Sequence, residues 1–207
     1  MDLKVYSAEK ALAFFILGHG AGAGQHSTFI VEAGRGLASR SITTATFDFP
    51  YITAKRKVPD RAPVLEQAWR DAIQAARSEA GDLPLFIGGK SMGGRIASHV
   101  AAQGGAGALK GLVFFGYPLH PPGRLDKMRD AHLPEIQEPM LFIQGGKDPF
   151  GRGDEIRALL PRLLRATLHE IEGGDHSWRV PGGKAKQQQV FIDALDAATA
   201  WMRSMSA

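Results

Sequence analysis

Short apolar runs alternate along the chain with longer segments in which apolar residues recur at helical spacing. The runs are mostly continuous, which is typical of strands covered on both faces of a parallel sheet. The predicted strands cover residues 3–6, 13–17, 41–49, 85–88, 109–117, 140–144 and 166–171. The predicted helices cover residues 27–39, 61–80, 94–103, 154–164 and 187–205. This alternation predicts an α/β protein with a mostly parallel sheet of about six to seven strands and helices on both faces.

Size and composition limit the class of protein. A chain of 207 residues is expected to form a single domain over residues 1–207. A hydrophobic content of 44% and a charged content of 22% are ordinary for a globular protein. The net charge of +4 is spread along the chain, and the cluster Lys55-Arg56-Lys57 has Asp60 close by and no interleaved aromatics. Composition therefore gives no support for nucleic-acid binding.

The absence of cysteine excludes a disulfide framework, a thiolate nucleophile and a cysteine-based zinc site. No apolar run approaches the ~18 residues that a membrane span needs, and the first residues do not have the pattern of a cleaved leader. We therefore expect a cytoplasmic protein without a membrane partner.

The stretch that carries the chemistry is Gly89-Lys90-Ser91-Met92-Gly93, between a predicted strand and a predicted helix. A serine at such a turn needs a strained backbone with positive φ, which brings the flanking residues close together, so only very small side chains fit. The strain lifts the hydroxyl group to the carboxyl end of the sheet. The amide of Met92 then lies at the amino end of a helix, where negative charge is stabilised.

Two further polar residues follow strands in the same way. Asp148 comes just after the strand at 140–144, and His176 lies in the glycine turn after the strand at 166–171. The order Ser91, Asp148, His176 is the order of nucleophile, acid and base in a hydrolase of this fold. Serine needs an imidazole to deprotonate it, and that imidazole needs a carboxylate to orient it. Asp175 is an alternative acid, but a residue adjacent to His176 cannot easily fold back onto its ring.

The loop Gly18-His19-Gly20-Ala21-Gly22-Ala23-Gly24 follows the first buried strand. Its glycines allow backbone amides to approach a ligand closely. It lacks the lysine and hydroxyl residue of a phosphate-binding P-loop, and its spacing does not match the dinucleotide-binding motif.

Together these motifs resemble the α/β-hydrolase superfamily, in particular its small lidless members similar to dienelactone hydrolases. The resemblance extends from Ala13 to the last helix and implies that the amides of Ala21 and Met92 form an oxyanion hole while His19 supports the loop. Dienelactone hydrolases use a cysteine nucleophile, whereas this chain has a serine. The motif Ser91-Met92-Gly93-Gly94-Arg95 also resembles that of a branch which includes a subunit of a histone acetyltransferase complex. Members of this branch are thought to act partly as scaffolds.

The sequence thus predicts a serine hydrolase with no metal or organic cofactor, which cleaves an ester, thioester or activated amide of a small acyl substrate. The alternative is a hydrolase-fold interaction or scaffold protein with little or no activity. The segment between residues 117 and 139 is too short for a lid domain, so the site is expected to be shallow. Loop positions suggest Tyr51, Leu119, Phe150 and Trp178 as the residues that shape it. Substrate identity and oligomeric state are not readable from the sequence.

Overall fold

A seven-stranded sheet forms the centre of the structure, a computed structural model that describes residues 1–206. The strands are Lys4–Tyr6 (β1), Ala13–Gly18 (β2), Ile42–Phe47 (β3), Leu85–Lys90 (β4), Gly111–Phe115 (β5), Met140–Gly145 (β6) and Ala166–Ile171 (β7). Their order across the sheet is β1-β3-β2-β4-β5-β6-β7. All neighbouring strands are parallel except β1, which pairs antiparallel with β3 at the edge. The predicted mostly parallel sheet is confirmed.

Helices cover both faces of the sheet. They are Thr28–Ala38 (α1), Pro50–Thr53 (α2), Ala62–Ala80 (α3), Met92–Ala102 (α4), Gly153–Leu159 (α5) and Gly183–Ser206 (α6). The apolar sides of α1 and α6 pack on one face, and those of α3, α4 and α5 pack on the other. Of the helices within residues 1–206, none combines the length and the apolar character needed to cross a bilayer.

Strand β2 shows why the sequences of the buried strands are continuous runs of apolar residues. Its side chains alternate between the two layers: Phe14 and Ile16 belong to one buried cluster, whereas Phe15 and Leu17 belong to the other. All four side chains are at most 1% exposed. Burial of each side chain of this size contributes about 1.5–3 kcal/mol, so both layers hold the strand in place.

Two predicted helical segments differ from the structure. The segment predicted over 154–164 is helical only to Leu159 and continues as the 3-10 helix Leu160–Arg162. Pro161 lacks the amide that a longer α-helix would need. Within the connection between β5 and β6 the sequence also predicts one helical turn, at 126–131, but the structure has turns and irregular backbone there, followed by the 3-10 helix Leu133–Glu135.

The position of β2 between β3 and β4 creates a crevice at the carboxyl end of the sheet. The chain adds β3 on one side of β2 and then returns to add β4 on the other side. The loops that follow β2 and β4 therefore leave the sheet in different directions, and ligands bind in such crevices in open α/β sheets. Both loops carry residues of the candidate site.

Candidate active site

Ser91 lies at a strained turn between β4 and α4. Its backbone has φ 49° and ψ −115°, in the left-handed half of conformational space that a residue with a Cβ seldom adopts. A Cβ on Gly89 or on Gly93 would overlap the carbonyl oxygen of Gly18 at the end of β2. Two glycines are therefore required for the turn to pack against the neighbouring strand.

The structure brings Ser91, His176 and Asp148 into one hydrogen-bonded chain. The imidazole Nδ1 of His176 is 2.7 Å from Oδ2 of Asp148, and its Nε2 is 2.9 Å from Oγ of Ser91. Because an ionised carboxylate only accepts hydrogen bonds, Nδ1 carries the proton and Nε2 accepts the bond from the serine hydroxyl. This is the tautomer in which the ring can remove the serine proton.

Asp148 is fully buried, yet both of its carboxylate oxygens have donors. In addition to His176, Oδ2 accepts a hydrogen bond from Nε2 of Gln144 at 2.9 Å, and Oδ1 accepts one from the amide of Phe150 at 2.8 Å. Such bonds compensate for the cost of burying a charge. The carboxylate of the alternative acid, Asp175, accepts instead from the amides of Ser177 and Arg179 and shapes the turn.

Two backbone amides face the same cleft as Ser91. Met92 is the first residue of α4, and amides in a first helical turn have no acceptor within their own helix. In the loop after β2, the amide of Gly22 donates to Tyr51 Oη and that of Ala23 donates to Gly20 O. The amide of Ala21 has no acceptor among residues 1–206. The two amides assigned by resemblance are thus both available to an oxyanion.

His19 is fully buried beneath this loop and connects it to the segment after β3. Its Nδ1 donates to the carbonyl oxygen of Gly20 at 2.8 Å, so Nε2 accepts from the amide of Phe49 at 3.2 Å. Burial lowers the pKa of His19 below its usual value, with opposing contributions from Gly20 and Asp48. The neutral ring therefore supports the loop by using one nitrogen as donor and the other as acceptor.

Lys90, between Gly89 and Ser91, contacts the turn that carries the histidine. Its Nζ donates to the carbonyl oxygen of His176 and lies 5.6 Å from the ring centre of Phe29 and 6.0 Å from that of Trp178. Burial lowers the pKa of Lys90 to about 8, although the charges of Asp148 and Asp175 oppose this shift. The side chain links the nucleophile turn to the backbone of the histidine.

The candidate residues open onto a cleft of about 610 Å³. Its wall includes Ala21, Ser91, Met92, Phe150 and His176. The ring of Phe150 lies 4.5 Å from the imidazole, centre to centre, and shields one side of it.

Of the residues expected to shape the site, Phe150 alone lines the cleft, and the expectation was wrong for the other three. Tyr51, Leu119 and Trp178 are fully buried in the core. Their place in the loops is near the site, but their side chains pack inward.

A sequence profile of the alpha/beta hydrolase domain matches residues 11–203. The chain belongs to this family. The profile covers the crevice loops after β2 and β4 as well as those that carry Asp148 and His176.

Solved structures with the same hydrolase fold span nearly the whole chain. A dienelactone hydrolase from Anabaena variabilis superposes with a TM-score of 0.75 at 19% identity, covering 96% of this chain and 89% of that one. An α/β serine hydrolase without a lid, from Xanthomonas campestris, gives a TM-score of 0.69 at 20% identity, covering 99% and 87%. Est1E from Butyrivibrio proteoclasticus gives 0.70 at 14% identity, covering 96% and 93%. At these identities the similarity establishes the fold.

Sequence reasoning missed two residues of this hydrolase site. Gln144 is a fully buried polar residue in the otherwise apolar strand β6, and it bonds both Asp148 and the backbone amide of Tyr117. An amide side chain within an apolar run was the available signal, because buried polar groups need partners. Lys90 was visible inside the motif, but its contact with the histidine loop depends on residues 86 positions away.

Proposed function

We propose that the protein is a serine hydrolase that cleaves a carboxylic ester or thioester of a small substrate through an acyl-enzyme. The observation that carries the proposal is the continuous hydrogen-bonded chain from Ser91 through His176 to Asp148. It supplies a nucleophile, a base with the required tautomer and a buried carboxylate to orient that base.

The first half of the reaction forms the acyl-enzyme. Ser91 Oγ attacks the carbonyl carbon while its proton passes to Nε2 of His176, and the buried charge of Asp148 stabilises the resulting imidazolium. The carbonyl oxygen becomes an oxyanion that the amides of Met92 and Ala21 bind. Collapse of this intermediate breaks the bond to the alcohol or thiol, which leaves with the proton from His176.

The second half hydrolyses the acyl-enzyme. A water molecule gives a proton to Nε2 and attacks the acyl carbon, and the same two amides bind the new oxyanion. When the intermediate collapses, the proton returns to Ser91 and the carboxylic acid is released. Each proton transfer uses the same nitrogen, so the role of Asp148 is to hold the ring in place throughout.

Labelling with a fluorophosphonate probe tests the nucleophile directly. We expect the wild-type protein to be labelled, the S91A variant to be unlabelled, and the control S39A, which changes an exposed serine outside the cleft, to be labelled like the wild type. Circular dichroism checks that each protein is folded. Absence of labelling in folded wild-type protein would contradict the proposal, and 4-nitrophenyl esters of increasing chain length then define the acyl group that the cleft accepts.

A further inference from the structure

Two arginines line the cleft beside the candidate nucleophile, and the mechanism proposed above uses neither of them. Arg95 lies on the first turns of α4, and Arg129 lies in the connection between β5 and β6. We propose that they form an anion-binding subsite that selects substrates carrying a carboxylate or a phosphate a few bonds from the scissile carbonyl. This inference rests on the proposed hydrolase function.

The guanidinium of Arg95 is incompletely satisfied within the protein. Its Nε is buried and has no hydrogen-bond acceptor among residues 1–206. Burial lowers the pKa of Arg95, and the positive charge of Arg129 lowers it further, as expected for two guanidinium groups that lie near one another. A buried donor without an acceptor is costly, so the protein itself does not complete the hydrogen bonding of this guanidinium.

The nearest acids are paired with other residues. Asp130, adjacent to Arg129 in the chain, is 3.3 Å from Arg162. Glu66 is 3.0 Å from His99. Within residues 1–206, no carboxylate oxygen lies within 4.0 Å of either cleft arginine. At longer range the charge of Glu66 acts on Arg95, but neither arginine has a carboxylate in direct contact, so a ligand anion can take that place.

One acidic residue, Asp60, also lines the cleft and must be considered. Its Oδ1 is 2.6 Å from Arg56, which compensates its charge, while its Oδ2 is buried without a donor. Asp60 belongs to the segment between α2 and α3, whereas Arg95 lies on α4 and Arg129 lies between β5 and β6. The acid and the two arginines therefore come from different segments of the cleft wall, and Asp60 makes no ion pair with either arginine among residues 1–206.

A chain of hydrogen bonds positions the guanidinium of Arg95. Nδ1 of His99 lies 3.0 Å from Oε1 of Glu66 and donates to it, so Nε2 of His99 is free to accept from Nη1 of Arg95, at 3.4 Å. Burial lowers the pKa of His99, which favours the neutral ring that this arrangement needs. Nη1 is thereby bonded within the protein, and Nη2 has no acceptor among residues 1–206.

The spacing along α4 limits which substrates fit. Arg95 is one helical turn beyond Ser91, and its amide donates to the carbonyl oxygen of Ser91 at 3.0 Å. Side chains one turn apart begin about 5–6 Å from each other. A substrate with its carbonyl at Ser91 therefore needs a spacer of a few carbons to bring an acidic group to Arg95. Guanidinium groups bind both carboxylate and phosphate through paired hydrogen bonds.

Three 4-nitrophenyl esters of similar chain length test this selectivity: the neutral pentanoate, the monoester of glutarate and the 4-phosphonobutanoate. We expect the wild-type kcat/KM for at least one charged ester to exceed that for the pentanoate by tenfold or more. That ratio should fall at least tenfold in R95M and in R129M and remain as in wild type in R124M. Arg124 lies in the same connection as Arg129 but is exposed and paired with Asp126. Equal kcat/KM values for charged and neutral esters in the wild type, or unchanged ratios in both cleft variants, would overturn the proposal.

Binding to the S91A variant provides a readout that needs no turnover. Calorimetric titration with glutarate and with inorganic phosphate should show binding that is lost in S91A/R129M, and the tighter ligand identifies the anion. If S91A binds but the wild type is neither labelled nor active, the hydrolase proposal fails while the subsite stands. If the wild type hydrolyses pentanoate but neither binds nor prefers an anion, the subsite fails while the hydrolase stands. R129M, on an irregular connection, preserves the test should R95M not fold.

Discussion

Replacement of Lys90 by methionine tests whether this lysine positions the candidate base. Methionine keeps much of the apolar side chain but removes the ammonium group that donates to the carbonyl oxygen of His176. A hydrogen bond from a charged donor contributes about 1.5–3 kcal/mol, and each ~1.4 kcal/mol corresponds to a tenfold change in rate. If loss of this hydrogen bond mainly disturbs the orientation of the His176 ring, kcat should fall by roughly 10- to 100-fold with little change in KM.

The pH dependence separates a positioning role from a merely structural one. Burial lowers the pKa of Lys90 to about 8 from the 10.5 of an ordinary lysine. Below about pH 8 the ammonium group donates to His176 O, and above that pH the weaker neutral amine remains. The wild-type kcat should therefore decrease as the pH rises through about 8, and K90M should lack this decrease.

The same shift has a consequence for stability. Between about pH 8 and 10.5 the unfolded chain binds more protons at this position than the folded chain does. The contribution of Lys90 to the free energy of unfolding therefore rises with pH across this window and is constant below it. Chemical denaturation at pH 7.5 and 10 should show this difference between wild type and K90M.

Initial rates with a 4-nitrophenyl ester from pH 6 to 10, corrected for spontaneous hydrolysis, measure the effect on activity. K110M is the matched control, because Lys110 is an exposed lysine immediately before β5 and does not line the cleft. A K90M variant with the kcat and the alkaline decrease of the wild type would refute the reasoning.

Three further changes probe the same site. D148N should lower kcat by about 10⁴-fold in protein that circular dichroism shows to be folded, and normal activity would exclude Asp148 as the acid. Q144L removes a donor to Asp148 and should lower kcat about tenfold, by analogy with other positioning contacts; an unchanged rate would show that Gln144 is dispensable. In G93A the new methyl group overlaps the backbone of Gly18, so we expect a loss of about 3 kcal/mol or more in stability, measured by urea denaturation; a stable G93A would contradict the packing argument.

The sequence was most informative where local geometry leaves few choices. Continuous apolar runs located the central strands, since strands such as β2 and β6 are buried on both faces. The spacing of Gly89 and Gly93 around Ser91 predicted the strained turn, because only glycine fits against Gly18. The convergence of Ser91, Asp148 and His176 followed from a topological rule, namely that loops at the carboxyl ends of parallel strands share one edge of the sheet.

The sequence was least informative about the direction of side chains in the loops. Tyr51, Leu119 and Trp178 follow strands, as Asp148 does, but they turn into the core. Inward packing buries a large apolar area for each of them, and position after a strand does not reveal that choice. Likewise, the proximity of Arg129 to Arg95 depends on the path of the whole connection between β5 and β6, which has little regular structure to predict.

The position of Ser91 and Arg95 on either side of the first turn of α4 has a consequence for selectivity. Both residues move with that helix, whose amino end is fixed against β2 by the contact of Gly93 with Gly18. The rigid backbone of α4 therefore sets the distance from the attacked carbonyl to Arg95. Arg129, in contrast, lies on irregular backbone. Substitution at Arg95 should consequently change the preferred spacer length of the substrate, while substitution at Arg129 should weaken anion binding for all spacers alike. The dependence of kcat/KM on spacer length can be measured for R95K and R129K. If it changes in the same way in both variants, α4 does not set the distance between the attacked carbonyl and the anion site.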